Sequence, residues 1–158
     1  MAALIRNAKA GEAVSLTALC VRSKAHWGYD AAFMAMSTPA LVVSEDDIAA
    51  GRVLVALDDA GAAVGVAVVL PSGATSDLDA LFVEPSAIGT GAGRALFEAS
   101  LALARRQGAG RLTILADPNA AAFYERMGAR HLRNAPSDAI PGRTLPFYEY
   151  DLTPGQTA

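Results

Sequence analysis

The chain has 158 residues, the size of one domain, and its 53% of hydrophobic residues and formal net charge of −3 suit a globular protein with a full core. The basic residues are dispersed rather than gathered in a stripe, which argues against a nucleic-acid-binding surface. No apolar run is as long as a membrane span and the first six residues lack the layout of a signal peptide, so we expect a cytoplasmic protein without a membrane anchor.

The first third of the chain predicts one strand and several short helices. Residues 4–8 form a short apolar strand, and residues 11–22 repeat apolar side chains at helical spacing. Cys20 lies on that apolar side and is the only cysteine. We therefore expect a buried, inert thiol, with no disulfide and no cysteine metal site. A second short helix covers 31–37, and Ser44 is placed to cap a third.

The connector between the first two predicted helices carries unusual side chains. Residues 23–30 crowd His26, Trp27 and Tyr29 together and end at Asp30. Aromatic side chains in such a connector either fill the gap between two helices or form a wall that binds a ligand. Both interpretations stay open from the sequence. The second makes these four side chains candidate substrate-binding residues.

The middle of the chain predicts an antiparallel meander. Its three strands cover residues 52–57, 62–70 and 75–83, joined by turns that contain Asp-Asp-Ala-Gly and Pro-Ser-Gly. Asp77 and Asp79 lie two residues apart on the third strand, so they face the same side of the sheet if no bulge intervenes.

A glycine-rich turn follows this meander and opens a long helix. Pro85 ends the strand, because proline cannot donate to a sheet ladder, and Gly89, Gly91 and Gly93 precede the helix. The first N–H groups of a helix have no internal partner, and glycines let an anion approach them closely. Residues 89–94 are therefore either a phosphate cradle or only a tight strand-to-helix turn. Neither a P-loop nor a Rossmann fingerprint fits the order of residues.

The last third of the chain predicts alternating strands and helices. Its elements are a strand over 111–116, a helix opened by Asp117 and Pro118, a strand over 129–134, a loop over 135–143 and a strand over 145–152. A strand reached through a helix usually lies parallel to its predecessor, so the first of these should run parallel to the last strand of the meander. We expect one domain over residues 1–153 and a tail over 154–158.

Two separated motifs resemble those of the Gcn5-related N-acetyltransferases, the GNAT family. The run 83–85, Val-Glu-Pro, followed by 91–93, Gly-Ala-Gly, is similar to the family's acetyl-coenzyme A loop, although Ile88 stands where the family usually has Gln or Arg. Residues 119–128, NAAAFYERMG, look like the family's later segment of Asn, Ala, Phe-Tyr and Gly. The resemblance covers nearly the whole chain.

This resemblance implies the fold and the cofactor site. The fold is a single GNAT-like α+β (α/β) domain, with a mixed, mostly antiparallel sheet of six to seven strands, helices on both faces, and splayed fourth and fifth strands. The cosubstrate is acetyl-CoA, and no metal is implied. The candidate cofactor-binding residues are Leu81, Phe82, Val83, Ile88, Gly89, Thr90, Gly91, Ala92, Gly93, Arg94, Asn119, Phe123 and Tyr124.

The resemblance also implies catalytic roles. Tyr124 matches the family's general acid for the leaving thiolate, and the alternative is a core aromatic that packs beside Phe123. The general base is left open among Asp77, Asp79 and Glu84, each of which also fits a solvated surface carboxylate. A chain of water molecules without a dedicated base is a further alternative.

The activity implied is transfer of an acetyl group from acetyl-CoA to a primary amine by direct attack in a ternary complex. A small or amino-acid-like acceptor is favoured over a protein, and it would be held by His26, Trp27, Tyr29, Asp30 and Arg143. A sensor that binds acyl-CoA without turnover stays open as an alternative. A toxin that acetylates tRNA is disfavoured by the acidic balance. The sequence does not decide whether the protein is a homodimer.

Overall fold

The computed structural model describes residues 3–153, so the tail expected over 154–158 lies outside the described residues. Within that range, seven strands form one sheet in the order β1-β2-β3-β4-β5-β7-β6. The strands are β1 (Leu4–Asn7), β2 (Val53–Leu57), β3 (Ala63–Ser72), β4 (Thr75–Val83), β5 (Arg111–Leu115), β6 (Arg130–Pro136) and β7 (Thr144–Asp151). The helices are α1 (Ala13–Ala25), α2 (Ala31–Ser37), α3 (Glu45–Ala49), α4 (Ala92–Arg106) and α5 (Ala121–Arg126).

The sheet is mixed, and its strand directions confirm the sequence-based prediction. Neighbouring strands are antiparallel throughout, except that β4 and β5 are parallel. The long helix α4 makes the crossover between those two strands, as expected for a parallel pair.

Alternation along the central strands places a core on each face of the sheet. On β3, Val66 and Val68 pack on one face, in the cluster that holds Leu19 of α1. Ala67 and Val69 point to the other face, in the cluster that holds Phe97 of α4 and Tyr124 of α5. The predicted helices on both faces are therefore confirmed. None of the described helices is long and apolar enough to cross a membrane.

Several elements differ from the predicted boundaries. Strand β3 continues to Ser72, although Pro71 and Ser72 were expected in a turn. Two other differences have a plain physical reason. The first helix begins at Ala13 and runs to Ala25, where 11–22 was expected. It cannot begin earlier because Gly11 has a φ of 91°, which is outside the helical region. Strand β6 extends to Pro136, two residues beyond the expected end, and Pro136 pairs with Thr144. Proline is tolerated there because β6 is an edge strand.

Strands β4 and β5 are hydrogen-bonded only at their beginnings. Their register runs from Thr75 to Asp77 on β4 and from Arg111 to Thr113 on β5. Beyond that point β4 continues to Val83 without a partner on the β5 side. The two strands thus diverge, and one edge of β4 is left open.

A bulge on β4 changes the expected relation of its two aspartates. Val68 of β3 lies opposite Ala80, but the next residue, Val69, lies opposite Leu78. Asp79 is therefore the extra residue of a bulge, and the simple alternation that would put Asp77 and Asp79 on one face does not hold.

The close packing of β3 against α4 predicts the effect of one substitution. A Cβ added at Gly65 would lie 2.7 Å from Leu96 Cδ1 and 3.3 Å from the carbonyl oxygen of Phe82. Gly65→Ala should therefore lower the free energy of unfolding by about 1–3 kcal/mol, measured by urea denaturation. The control is Gly110→Ala, where the nearest atom is 3.8 Å away and little change is expected. Equal stability of the two variants would contradict the packing described.

Candidate active site

A cleft of about 670 Å³ opens where β4 and β5 diverge. Its lining combines the open edge of β4, the end of β5, the glycine loop (residues 88–94), α5 and the loop before β7. The lining residues predicted from the sequence are Trp27, Asp77, Asp79, Leu81, Phe82, Val83, Ile88, Gly89, Gly91, Gly93, Arg94, Asn119, Phe123, Tyr124 and Arg143. The divergence thus brings together most of the predicted cofactor and catalytic residues.

The glycine loop presents free amides at the start of α4. Gly91 occupies the N-cap position with a φ of 91°, a conformation that favours glycine. Ala95 donates the first helical hydrogen bond, to the carbonyl oxygen of Gly91. The N–H groups of Ala92, Gly93 and Arg94 precede that bond and have no partner within the helix. The loop can therefore receive an anion at the positive end of the helix dipole.

The glycine loop fits closely against α5. A Cβ added at Gly93 would lie 3.4 Å from Phe123 Cε1 and 3.7 Å from Val83 Cγ2. Phe123 thus sets the shape of the cleft beside the loop. Ile88, which stands where the family usually has Gln or Arg, is 48% exposed at the edge of the cleft. Ala92 is buried, and the Thr90 hydroxyl donates to the carbonyl of Ala87.

Tyr124 is both a packed aromatic and a cleft residue. Its ring lies 5.2 Å from that of Phe123 and 6.0 Å from that of Phe97, centroid to centroid. The side chain is only 5% exposed but lines the cleft, and no hydrogen bond to its hydroxyl is found within residues 3–153. Burial, and then the charges of Asp117 and Asp77, raise the pKa of the phenol. The hydroxyl therefore stays protonated and can donate.

The two aspartates of β4 both reach the cleft despite the bulge. Burial raises the pKa of Asp77, and the charge of Asp138 raises it further. A 2.8 Å hydrogen bond from Thr113 Oγ1 lowers the pKa but does not cancel the effect of burial. Burial also raises the pKa of Asp79, as do the charges of Asp77, Asp47 and Asp138. A carboxylate whose pKa is raised is a better proton acceptor.

Glu84, the third candidate base, is engaged elsewhere. Arg22 holds it through two guanidinium nitrogens, with Arg22 Nε 3.0 Å from Glu84 Oε1. The hydrogen bond from Arg22 lowers the pKa of Glu84. Glu84 does not line the cleft either. The structure therefore gives Glu84 an ion pair rather than the environment of a base.

The Tyr29 hydroxyl joins three segments around the cleft. It donates to Asp117 Oδ2 at 2.8 Å, and it accepts from Asn119 Nδ2 and Arg143 Nη2, each at 3.1 Å. Lys24 adds a salt bridge of 3.0 Å to Asp117. These bonds tie the connector after α1, the end of β5 and the loop before β7 together. We call this group of five side chains the Tyr29 network.

The other predicted acceptor residues have different surroundings. Trp27 lines the cleft and is 47% exposed, whereas His26 packs edge-on against it at 5.1 Å between ring centroids. Asp30 accepts a 2.8 Å hydrogen bond from the N–H of Phe33 and caps α2. His26, Tyr29 and Asp30 do not line the cleft. Of these side chains only Trp27 lines the cleft, and its role in binding an acceptor stays a prediction.

Sequence reasoning missed several polar residues of the cleft lining, namely Ser23, Lys24, Ser37, Asp117, Arg126 and Ser137. Asp117 precedes a proline, which marks it as a helix cap, and it does accept a hydrogen bond from the N–H of Asn119. Its partners Lys24 and Tyr29 lie 93 and 88 positions away along the chain. The local sequence therefore predicts that Asp117 caps a helix, but it cannot predict that Lys24 and Tyr29 bind the same carboxylate.

A family model described as an acetyltransferase (GNAT) domain matches residues 13–137. This match covers most of the chain, so the chain belongs to the GNAT acetyltransferase family. The family resemblance seen in the two sequence motifs is thereby confirmed. None of the curated protein sequences compared with the chain matches it.

Solved structures of the same family share the fold. A Gcn5-related N-acetyltransferase from Rhodopseudomonas palustris is 25% identical over 96% of each chain, with a TM-score of 0.71. The PaiA N-acetyltransferase from Thermoplasma acidophilum, solved with coenzyme A, is 13% identical over 96% of this chain and 99% of its own, with a TM-score of 0.77. YncA from Salmonella typhimurium, solved with acetyl-CoA, is 20% identical over 100% and 98%, with a TM-score of 0.68.

The geometry of the glycine loop predicts how one substitution affects coenzyme A binding. Gly93→Val places a branched side chain against Phe123 and beside the free amides, so a phosphate should no longer reach them. We expect coenzyme A affinity to fall about tenfold or more by calorimetry, because charge-assisted hydrogen bonds are lost. Gly110→Val, outside the cleft, is the control. Unchanged affinity in a folded Gly93→Val variant would move the phosphate site elsewhere.

Proposed function

We propose that this protein is an N-acetyltransferase that moves an acetyl group from acetyl-CoA to a primary amine. The observation that carries the proposal is the divergence of β4 and β5. It leaves one cleft with free helix amides at the glycine loop and with the Tyr124 hydroxyl and two aspartates on the same lining. We call the part lined by the glycine loop and α5 the cofactor half, and the part lined by Trp27, Asp77 and Asp79 the acceptor half.

The residues of the cofactor half suit acetyl-CoA, which supplies an activated acetyl thioester when bound. The amides of the glycine loop would bind its pyrophosphate. The open edge of β4 over Leu81–Val83 would hold the pantetheine arm by main-chain hydrogen bonds and polarise the thioester carbonyl. The Asn119 amide nitrogen donates to Tyr29 and Asp117, so its side-chain oxygen would be the atom that accepts a hydrogen bond from the pantetheine arm.

The chemical roles follow from the protonation states in the cleft. A carboxylate must take the proton that the ammonium form of the acceptor loses. Asp77 fits best because its own pKa is raised and because it lies close enough to Tyr124 for its charge to raise the pKa of the phenol. The free amine then forms the new N–C bond to the acetyl carbon while the C–S bond breaks. Tyr124 would give its proton to the departing sulfur, and the second proton that the attacking nitrogen loses on becoming an amide would restore the phenol. The products are an N-acetylated amine and a free thiol.

An acyl-CoA sensor without turnover is the alternative, and Tyr124 argues against it. A sensor has no use for a protonated phenol that lines the cleft, whereas a transferase needs a proton donor for the departing sulfur. Incubation of the purified protein with acetyl-CoA and a panel of amines separates the two functions. An acetyltransferase releases free thiol in proportion to acetylated amine, whereas coenzyme A binding without thiol release would favour the sensor.

Removal of the Tyr124 hydroxyl should affect the chemical step. We expect Tyr124→Phe to lower kcat by about 10²–10⁴-fold with little change in coenzyme A affinity, because the leaving sulfur loses its proton donor. The measurement is steady-state kinetics with calorimetry on the same variant. Tyr148→Phe is the control, since that hydroxyl donates to Glu125 at 2.6 Å and does not line the cleft. Intact kcat with lower stability would assign Tyr124 to the core alone.

Transfer should be direct, without an acetylated enzyme. Cys20 is fully buried, and burial raises the pKa of its thiol to about 12, so it stays protonated and is a poor nucleophile. We expect Cys20→Ala to keep its activity and initial-rate plots against both substrates to intersect. Parallel plots, or an acetyl group on Cys20 in mass spectra, would contradict this route.

A further inference from the structure

The cleft is lined by charged side chains of both signs. Arg94 and Arg126 line it from α4 and α5, the helices of the cofactor half, where cations suit phosphates. The acceptor half carries Asp77, Asp79 and Asp138, the last from the loop before β7. We call these three side chains the acidic group. They act on one another electrostatically, since Asp138 contributes to the charge felt by both β4 aspartates.

The acidic group lacks a cationic partner among the described residues. None of the salt bridges within residues 3–153 involves Asp77, Asp79 or Asp138. The nearby cations are engaged: Lys24 pairs with Asp117, and Arg143 donates to Tyr29 with its guanidinium 4.8 Å from the centre of the Phe33 ring. Three carboxylates that line the cleft without an ion-pair partner among the described residues favour a positively charged occupant.

A second, independent feature of the same cleft points to a ligand. Ser37, at the end of α2, is 2% exposed and lines the cleft. Among the described residues 3–153, Ser37 Oγ is the one buried side-chain oxygen or nitrogen atom for which no hydrogen-bond partner is found. A buried hydroxyl is unfavourable unless something bonds to it, and its oxygen can accept a hydrogen bond from an ammonium group. The half-exposed ring of Trp27 lines the same cleft and offers a cation–π surface.

We propose that the acceptor is a compact dication, a primary amine with a second cationic group. This inference rests on the proposed function and names its substrate class. Asp77 receives the proton of the reacting amine, while Asp79 and Asp138 bind the distant cationic group. Ser37 and Trp27 complete the site around it. An amino-acid-like acceptor fits less well, because its carboxylate would face the acidic group and Arg143 is already held by Tyr29.

A chain-matched set of amines tests this charge preference. The probes are linear α,ω-diamines of three to six carbons, the monoamines of the same lengths, and the ω-amino acids of the same lengths. They share the reacting amine and differ only at the far end, which is an ammonium, a methyl group or a carboxylate. We expect kcat/KM to be about tenfold or more higher for the best diamine than for its monoamine, and lowest for the amino acid. A preference for the monoamine or the amino acid would overturn the inference.

Replacing single carboxylates by neutral amides shows which side chains produce the preference for the diamine. Asp138→Asn and Asp79→Asn should each lower the ratio of kcat/KM for the diamine to kcat/KM for the monoamine about tenfold, because the distant ammonium loses a charged partner that the methyl end of the monoamine never had. Asp59→Asn is the control, since Asp59 is an exposed carboxylate in the β2–β3 turn outside the cleft. An undiminished diamine preference in both acidic-group variants would place the second cation elsewhere.

Calorimetry separates failure of this inference from failure of the proposed function. Diamine binding is measured in the presence of coenzyme A, which allows no turnover. Binding of the diamine without acetylation of any amine would support the dication site and contradict the proposed acetyltransferase activity. Acetylation of other amines without diamine binding would support the acetyltransferase activity and contradict the dication site. If neither diamine binding nor acetylation of any amine is observed, both proposals are wrong.

Discussion

The structure depends on one constraint, the separation of two parallel strands after only three residue pairs. Up to Asp77 and Thr113 the strands β4 and β5 satisfy each other's main-chain groups. Beyond that point β4 keeps β3 as its neighbour on one side and opens its other edge to a cleft. In a closed sheet those main-chain groups would be used within the ladder, so the separation is what makes them available for a ligand.

The cleft so formed has two ends with opposite electrostatics. At one end the start of α4 offers unpaired amides and the positive end of a helix dipole, arranged by a left-handed Gly91. The same cleft is lined by three carboxylates that have no ion-pair partner, and by a buried Ser37 hydroxyl that has no hydrogen-bond partner, among residues 3–153. On the proposed function, an anionic cosubstrate would be drawn to the helix amides and a cationic acceptor to the carboxylates.

The Tyr29 network holds the walls of the cleft together. A single hydroxyl links Asp117 at the end of β5 with Arg143 in the loop before β7, and Lys24 of α1 joins through Asp117. Burial opposes ionisation of Asp117, yet the hydrogen bonds from the Asn119 N–H, Tyr29 and Lys24 keep its pKa below the usual value. A charged Asp117 close to Tyr124 in turn helps to keep that phenol protonated.

The sequence by itself determined the strand order along the chain, the parallel crossover, the glycine loop and the buried Cys20, because periodicity, turn residues and helix caps are local signals. Only the tertiary structure decided which carboxylates share the cleft. The bulge at Asp79 and the ion pair of Glu84 with Arg22 arise from partners on other elements. The Tyr29 network, and the Ser37 hydroxyl that has no hydrogen-bond partner among residues 3–153, likewise depend on packing and not on sequence spacing.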